Sequence, residues 1–301
     1  MKIAVLMSTY NGEKYLEKQL DSILNQKGKF EIEILVRDDG STDSTKKILK
    51  TYEKKKSLKW YSEKNIGPGL SFFDLIHKAG EYDLYAFSDQ DDLWNANKLD
   101  RAVSKIGENT KPKLYFSNAE LVDSNLRYLG RSVYKNIPKL DFFTLSCAGG
   151  ALGCTMVFNN ELAQIIRKCD MPSKMVMHDF YLAVVCKGIG GDIIYDDYPS
   201  MKYRQHDSNV VGVAHGKIGT IKNRVKDIFT KEKISIEEQS RDILNSYFFN
   251  LCENNRRDLE EISHYRNSIM TRYRLATNRR LKFINWNMSI KIRMSILLGN
   301  R

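Results

Sequence analysis

Two groups of carboxylates stand out by their position in the chain. Asp38-Asp39-Gly40-Ser41 follows the apolar run Ile32-Glu33-Ile34-Leu35-Val36, and Ser88-Asp89-Gln90-Asp91-Asp92 follows Leu84-Tyr85-Ala86-Phe87. An apolar run closed by a polar turn reads as a buried strand and the loop beyond it. In an open parallel sheet, ligands bind just past the carboxyl ends of the strands, so both groups are expected to face one crevice. Crowded carboxylates repel each other until a cation or hydrogen-bond donors neutralise them. Oxygen-rich sites with few protein ligands suit Mg²⁺ or Mn²⁺, which keep positions open for phosphate oxygens. Taken alone, Asp38-Asp39-Gly40-Ser41 also fits a helix-capping turn, and Asp92 fits the cap of a helix beginning near Asn95. Other phosphate and acyl chemistries lack their residues. Gly212-x-x-x-Gly216-Lys217 is one residue short of a P-loop and is followed by Ile218. No G-x-G-x-x-G follows the first strand, and no G-x-S-x-G is present.

The elements that must position these groups follow from periodicity. Ile3-Ala4-Val5-Leu6-Met7 is a short apolar run closed by Ser8-Thr9-Tyr10-Asn11-Gly12, a third strand and loop. Tyr15, Leu16, Leu20, Ile23 and Leu24 keep helical spacing, as do Thr45, Ile48, Leu49 and Tyr52. Strand–helix alternation of this kind predicts an α/β fold with a mostly parallel sheet and flanking helices. Leu114-Tyr115-Phe116 and Thr155-Met156-Val157-Phe158 read as strands in a less regular half. Beyond about residue 216 the chain becomes helical. Ser235 with Glu238 forms a possible capping box, followed by the stripes Ile243, Leu244, Tyr247, Phe248, Leu251 and Leu259, Ile262, Tyr265, Ile269, Tyr273. The expected division is therefore an α/β body over 1–214 and a basic helical region over 215–301.

The net charge of +11 on 301 residues is concentrated in that second region. Residues 215–301 hold 18 Lys and Arg against 9 Asp and Glu, and after Glu261 there are nine basic residues and no acidic one. The rest is nearly neutral, so the tail's partner should be anionic. Basic residues there are interleaved with Phe283, Trp286, Met288, Ile290 and Met294, which favours an anionic membrane surface over nucleic acid, for which no motif is present. One pattern resists a simple amphipathic reading: from Trp286 to Ile296 apolar residues alternate strictly, which on a helix spreads them around the circumference. No run reaches the roughly 18 apolar residues of a membrane span, and the N-terminus lacks a signal-peptide pattern. Five cysteines with no C-x-x-C pair fit a reducing compartment. The expected location is cytoplasmic, peripheral at the inner face of the cell membrane.

Ser8-Thr9-Tyr10-Asn11-Gly12, Asp38-Asp39-Gly40-Ser41-Thr42-Asp43, Asn65-Ile66-Gly67 and Ser88-Asp89-Gln90-Asp91-Asp92-Leu93-Trp94 occur in this order. Together they resemble the large inverting family of nucleotide-sugar glycosyltransferases, family 2, with the GT-A fold. Gly153-Cys154-Thr155-Met156, His178-Asp179 and Tyr203-Arg204-Gln205-His206-x-x-Asn209-Val210-Val211-Gly212 resemble a narrower subgroup that includes rhamnosyltransferases of bacterial cell-envelope polysaccharide synthesis. The resemblance implies roles for matching positions. Thr9, Tyr10, Asn11 and Asn65 belong to the nucleotide-sugar site, and Asp39 accepts from the pyrimidine N3–H. Asp89 and Asp91 form the D-x-D element, the first reaching the ribose or sugar and the second ligating Mn²⁺ or Mg²⁺. His206 is a further metal or diphosphate contact, and Asp179 is the general base. Many relatives carry Glu-Asp where this chain has His178-Asp179, so the acidic neighbour of the base is altered here.

That chemistry suits the residue types. Inversion needs in-line attack by an acceptor hydroxyl, and a carboxylate within hydrogen-bond reach can take its proton. A divalent cation stabilises the leaving diphosphate. The expected function is transfer of L-rhamnose from dTDP-rhamnose to a glycan acceptor, lipid-linked at the membrane, with a UDP-hexose or UDP-hexosamine donor as the alternative. A nucleotidyltransferase would also gather carboxylates past a parallel sheet, but Ser8–Glu13 lacks the basic residues its loop needs. A non-catalytic sugar- or membrane-binding scaffold would keep the fold and tolerate loss of Asp179. Trp94 is expected in the core.

Overall fold

The computed structural model describes residues 1–107, 110–206, 234–283 and 286–301. The first strand, β1 (Lys2–Thr9), is buried from Ile3 to Met7, as its apolar run predicts. It pairs in parallel with β2 (Glu31–Asp38) on one side and β4 (Leu84–Ser88) on the other, and β2 pairs in parallel with β3 (Lys59–Ser62). Register sets the site: Thr9 stands opposite Asp38, and Met7 opposite Ser88. The residues that follow, Tyr10, Asp39 and Asp89, therefore leave the sheet along one edge. Helices α1 (Leu16–Leu24), α2 (Thr45–Lys54) and α3 (Pro68–Lys78) make the crossovers.

Past β4 the sheet is mixed. Helix α4 (Lys98–Ile106) follows the two-residue β5 (Leu93–Trp94). Strand β6 (Lys113–Val122) pairs antiparallel with β7 (Tyr128–Ser132) and β8 (Val157–Asn159), and parallel with β9 (Asp192–Arg204). The path through the sheet is β3-β2-β1-β4-β8-β6-β9-β5. Antiparallel pairing of β5 with the far end of β9 sets Leu93 opposite Lys202, so the Asp91-Asp92 loop meets Arg204 and His206. The strand expected from Thr155 begins only at Val157, because Gly153–Thr155 forms a 3₁₀ turn packed against His178 and Asp179. Asp92 caps no helix. It lies buried with Oδ1 accepting the Arg204 backbone N–H at 3.0 Å, and α4 begins after Asn97.

Helices α5 (Phe142–Ala148), α6 (Asn160–Arg167) and α7 (His178–Gly188) cover one face. The 214/215 division, and Asn209-Val210-Val211-Gly212 with it, lie outside the described residues. Helix α8 (Ile236–Tyr247) opens with the expected capping box of Ser235 and Glu238. Its Asp242 accepts from the Ser173 and Lys174 backbone N–H groups and from the Tyr181 hydroxyl, tying it to α7. Helices α9 (Glu253–Ile262), α10 (Ile269–Thr277) and α11 (Trp286–Leu297) follow. Ile243, Leu259, Ile262, Leu275 and Ile296 share one apolar core with Leu6, Phe87 and Phe158 of the sheet. Trp94 is buried in a second core on the opposite face. The expected stripe from Leu259 to Tyr273 breaks: Leu259, Ile262 and Tyr265 are buried, while Ile269 and Tyr273 are exposed. A 3₁₀ turn over Tyr265–Asn267 and a new cap at Ser268 rotate the helix between them. Arg301 donates to the carbonyls of Cys147 and Ala148, satisfying the C-terminal end of α5.

Candidate active site

Along the carboxyl edge of β1, β2 and β4 lies a cavity of about 450 Å³. Tyr10, Asp39, Asn65, Asp89, Asp91 and Asp179 all line it, and His206 stands directly behind Asp91. Two expected residues are placed elsewhere. The Thr9 hydroxyl is buried against the Arg37 carbonyl and Asp38, each at 3.5 Å. Asn11, with φ +47°, accepts the Thr42 N–H at 2.9 Å and so braces one loop on the next.

Asp39 is held from three sides. It accepts the Ile66 N–H at 3.0 Å and the Gly67 N–H at 2.9 Å, and it pairs with the Arg37 guanidinium. Gly67 can turn its N–H inward because its φ is +83°, a conformation a side chain would strain. Arg37 is fully buried and also binds Asp74 at 3.0 Å, the Ser71 hydroxyl at 2.9 Å and the Lys64 carbonyl at 3.0 Å. A buried guanidinium with this many acceptors is a fixed strut, and it orients Asp39 toward the cavity.

The D-x-D segment is clamped at both ends. Gln90 accepts the Tyr10 N–H at 3.0 Å and donates to the Tyr10 carbonyl at 2.9 Å, locking the loop after β4 to the loop after β1. The Arg204 guanidinium donates to the Asp91 carbonyl at 2.6 Å and the Ser124 carbonyl at 2.7 Å, with its plane over the Tyr15 ring at 4.3 Å. His206 stacks on the same Tyr15 ring, centroids 5.2 Å apart, and its Nε2 lies 2.8 Å from Asp91 Oδ2. Burial, then the charges of Asp91 and Asp179, push Asp89 up to about 7. Such crowding is relieved when a cation arrives.

Two donor sets in this corner could hold a metal. Ligand atoms of Asp89, Asp92 and Cys154 lie within 4.8 Å of one another. Burial raises both the Asp92 carboxyl and the Cys154 thiol, so that set favours its protons, and Lys98 is buried alongside over the Trp94 ring at 4.5 Å. Asp91 lines the cavity and offers carboxylate oxygen, the donor that suits Mn²⁺ or Mg²⁺ with positions left over, and the His206 imidazole behind it is a second donor within reach.

Asp179 sits in the first turn of α7. Its Oδ1 accepts the Phe180 N–H at 2.7 Å and its Oδ2 accepts the Gly153 N–H at 3.1 Å. Its neighbour His178 is buried against Phe72, ring centroids 4.2 Å apart, and burial lowers its pKa, so the imidazole is neutral. Fixed by two backbone N–H groups and lining the cavity, a carboxylate in this setting can take a proton from a bound hydroxyl. Sequence reasoning missed Arg37 and Gln90 as positioning groups. A cation closing an apolar strand just before two aspartates was the available signal for the first; an amide between two carboxylates was a weaker one for the second.

Comparison with known proteins identifies the family and the fold. Residues 4–160 match the model of glycosyl transferase family 2. A dTDP-rhamnosyl transferase, RfbG of Shigella flexneri, is 31% identical over 246 residues, covering 72% of this chain and 80% of that protein. Among solved structures, S. aureus TarS 1-349 in complex with UDP-GlcNAc superposes with a TM-score of 0.57 at 21% identity, covering 99% of this chain and 82% of that one. The mannosyltransferase PcManGT from Pyrobaculum calidifontis, in complex with GDP-Man and Mn²⁺, gives a TM-score of 0.53 at 15% identity, over 99% of this chain and 86% of that one. At these identities the structural matches establish the GT-A fold.

Proposed function

Because the chain belongs to glycosyl transferase family 2, a family of nucleotide-sugar transferases, we propose that it moves L-rhamnose from dTDP-rhamnose, with inversion, onto a glycan acceptor in cell-envelope polysaccharide synthesis. The observation that carries the reading is one cavity lined by Asp39 from the loop after β2, Asp89 and Asp91 from the loop after β4, and Asp179 from the first turn of α7. The rhamnosyl donor rests on the relative named for that activity.

In this reading Asp39, immobilised by Arg37 and two backbone N–H groups, meets the pyrimidine, and Tyr10 and Asn65 flank it. Asp89 contacts the ribose or sugar. Asp91 and His206 would hold Mn²⁺ or Mg²⁺, which when bound stabilises charge on the leaving diphosphate. Asp179 accepts the proton of the acceptor hydroxyl as that oxygen bonds to the anomeric carbon and the diphosphate departs. The Gly153 N–H keeps the carboxylate aimed during attack. The acceptor is a lipid-linked glycan, which places the enzyme at the inner face of the cell membrane, with the basic C-terminal region toward the anionic lipids.

The test is incubation of the pure full-length chain with Mn²⁺ and a panel of nucleotide sugars, reading which nucleoside diphosphate is released. The reading expects dTDP from dTDP-rhamnose. UDP-GlcNAc and UDP-hexoses belong in the panel because the superposed TarS structure holds UDP-GlcNAc. Release of UDP alone would assign the enzyme to hexosaminyl or hexosyl transfer.

A further inference from the structure

Helix α11 resolves the alternating apolar pattern into two faces. At about 100° per residue, Trp286, Ile290, Met294 and Leu298 fall on one stripe, and Ile292 and Ile296 fall on the opposite side. Ile292 and Ile296 are buried in the core, whereas Trp286 is 78% exposed and Leu298 62%, with Ile290 and Met294 also exposed. The helix therefore docks with one apolar face and turns a second one outward. Helix α10 lies alongside: the Arg293 guanidinium donates to the carbonyls of Ala276, Asn278 and Leu281, and Gly299 adjoins the Arg272 side chain. Its first two turns contribute Ile269, Met270 and Tyr273, all exposed, while Leu275 and Ala276 in its last turn are buried. A contiguous run of large exposed apolar side chains marks an interaction surface.

Charge indicates the occupant. Several of the nine basic residues after Glu261 are already engaged: Arg266 with Glu237, Arg274 with Glu261, Arg280 with Asp258, and Arg293 and Arg301 with backbone carbonyls. Among the described residues no carboxylate pairs with Arg272, Arg279, Lys282 or Lys291, and Lys291 borders the exposed stripe. The carboxylates that reach these helices, Glu261 and Asp258, are thus already matched by Arg274 and Arg280, and the remaining cations leave this region net positive. A second copy packed isologously would set cation against cation, which disfavours a dimer. An anionic bilayer satisfies both parts, taking the apolar stripe into its acyl boundary and the cations at its headgroups. Phe283 takes no part, because its ring is half-buried against the core.

We propose that the α10–α11 face is the bilayer-docking surface of this protein, held chiefly by insertion of Trp286, Ile290, Met294 and Leu298 and supplemented by the unpaired cations. The proposal rests on the membrane-side reading of the acceptor. It gives insertion more weight than charge, since Arg266, Arg274, Arg280, Arg293 and Arg301 are already engaged within the fold.

Flotation of the full-length chain with phosphatidylcholine vesicles, with and without phosphatidylglycerol, tests it. Wild type is expected to float with anionic vesicles more than with neutral ones and to keep part of its binding in high salt. Substituting Ile290→Glu together with Met294→Glu should cut vesicle affinity about tenfold or more, while the melting temperature and diphosphate release from the soluble donor stay unchanged. Equal flotation of variant and wild type, or flotation of wild type with neither vesicle, would overturn the proposal. A concentration-dependent dimer abolished by the same substitutions would assign the stripe to a second copy and overturn it as well. Flotation without diphosphate release from any donor would support docking and refute the transfer reading.

Discussion

Replacing Gly153 with alanine tests the proposed role of Asp179 as a positioned base. A Cβ at this residue would lie 2.5 Å from His178 Nε2 and 3.1 Å from Asp179 Cβ. To reach ordinary contact near 3.4 Å the imidazole must retreat by about 0.9 Å. It has little room to do so, since Phe72 and Phe87 pack its ring at centroid distances of 4.2 and 5.2 Å. The displacement therefore passes to the first turn of α7, which carries Asp179. Misplacing a reacting group by about 1 Å costs roughly 10²-fold in rate, and overpacking costs about 1–3 kcal/mol in stability. The expected outcome of Gly153→Ala is thus a kcat for sugar transfer lower by roughly 10²-fold with donor affinity near wild type. Measuring kcat on a soluble acceptor and the donor Kd by calorimetry separates the two. A kcat within about threefold of wild type, in a variant that melts cooperatively, would refute the claim that this close contact positions the base.

Substituting Asp179→Asn should preserve donor Kd and lower transfer by roughly 10²–10⁴, read in the same assays. Gln90→Ala removes two hydrogen bonds to the Tyr10 backbone, so the donor KM should rise about tenfold with the fold intact, a steady-state measurement. Asp89, raised to about 7, binds a proton in the folded protein that it lacks when unfolded, so it lowers metal-free stability as pH climbs from about 4 through 7. Thermal melts should therefore show Mn²⁺ stabilising the protein more at pH 7.5 than at pH 5.5, and Asp89→Asn should flatten that difference. Truncation after Glu261 should abolish the cooperative melt, since it strips Tyr265, Leu275, Leu281, Ile292 and Ile296 from the core.

The parallel half of the fold was legible because burial on both faces writes itself as unbroken apolar runs, and Ile3–Met7, Ile32–Val36 and Leu84–Phe87 are such runs. The carboxylates past those runs were legible for the same reason. The approach of His206 to Asp91, 115 residues apart, depends on β5 pairing antiparallel with β9, and no local pattern of residues announces that contact. The late start of β8 came from a steric demand at Gly153, where β propensity in Thr155-Met156 was overridden. Alternation from Trp286 to Ile296 looked like a failed amphipathic helix, because one apolar face was assumed where the packed helix has two. The integration of the C-terminal helices was hidden because their charge, which dominates composition, sits on side chains that pair locally while Ile243, Leu259 and Ile296 enter the core.

The proposed reaction is one-step transfer with inversion at the cavity that Asp179 lines. Proton NMR of the reaction of the full-length chain with dTDP-rhamnose, Mn²⁺ and a glycan acceptor reads it directly. The expected product carries a new rhamnosyl linkage whose anomeric configuration is opposite to that of the donor, and its formation is slowed by roughly 10²–10⁴ in Asp179→Asn. A product that retains the donor's configuration, or one that forms at the wild-type rate without the Asp179 carboxylate, would contradict it.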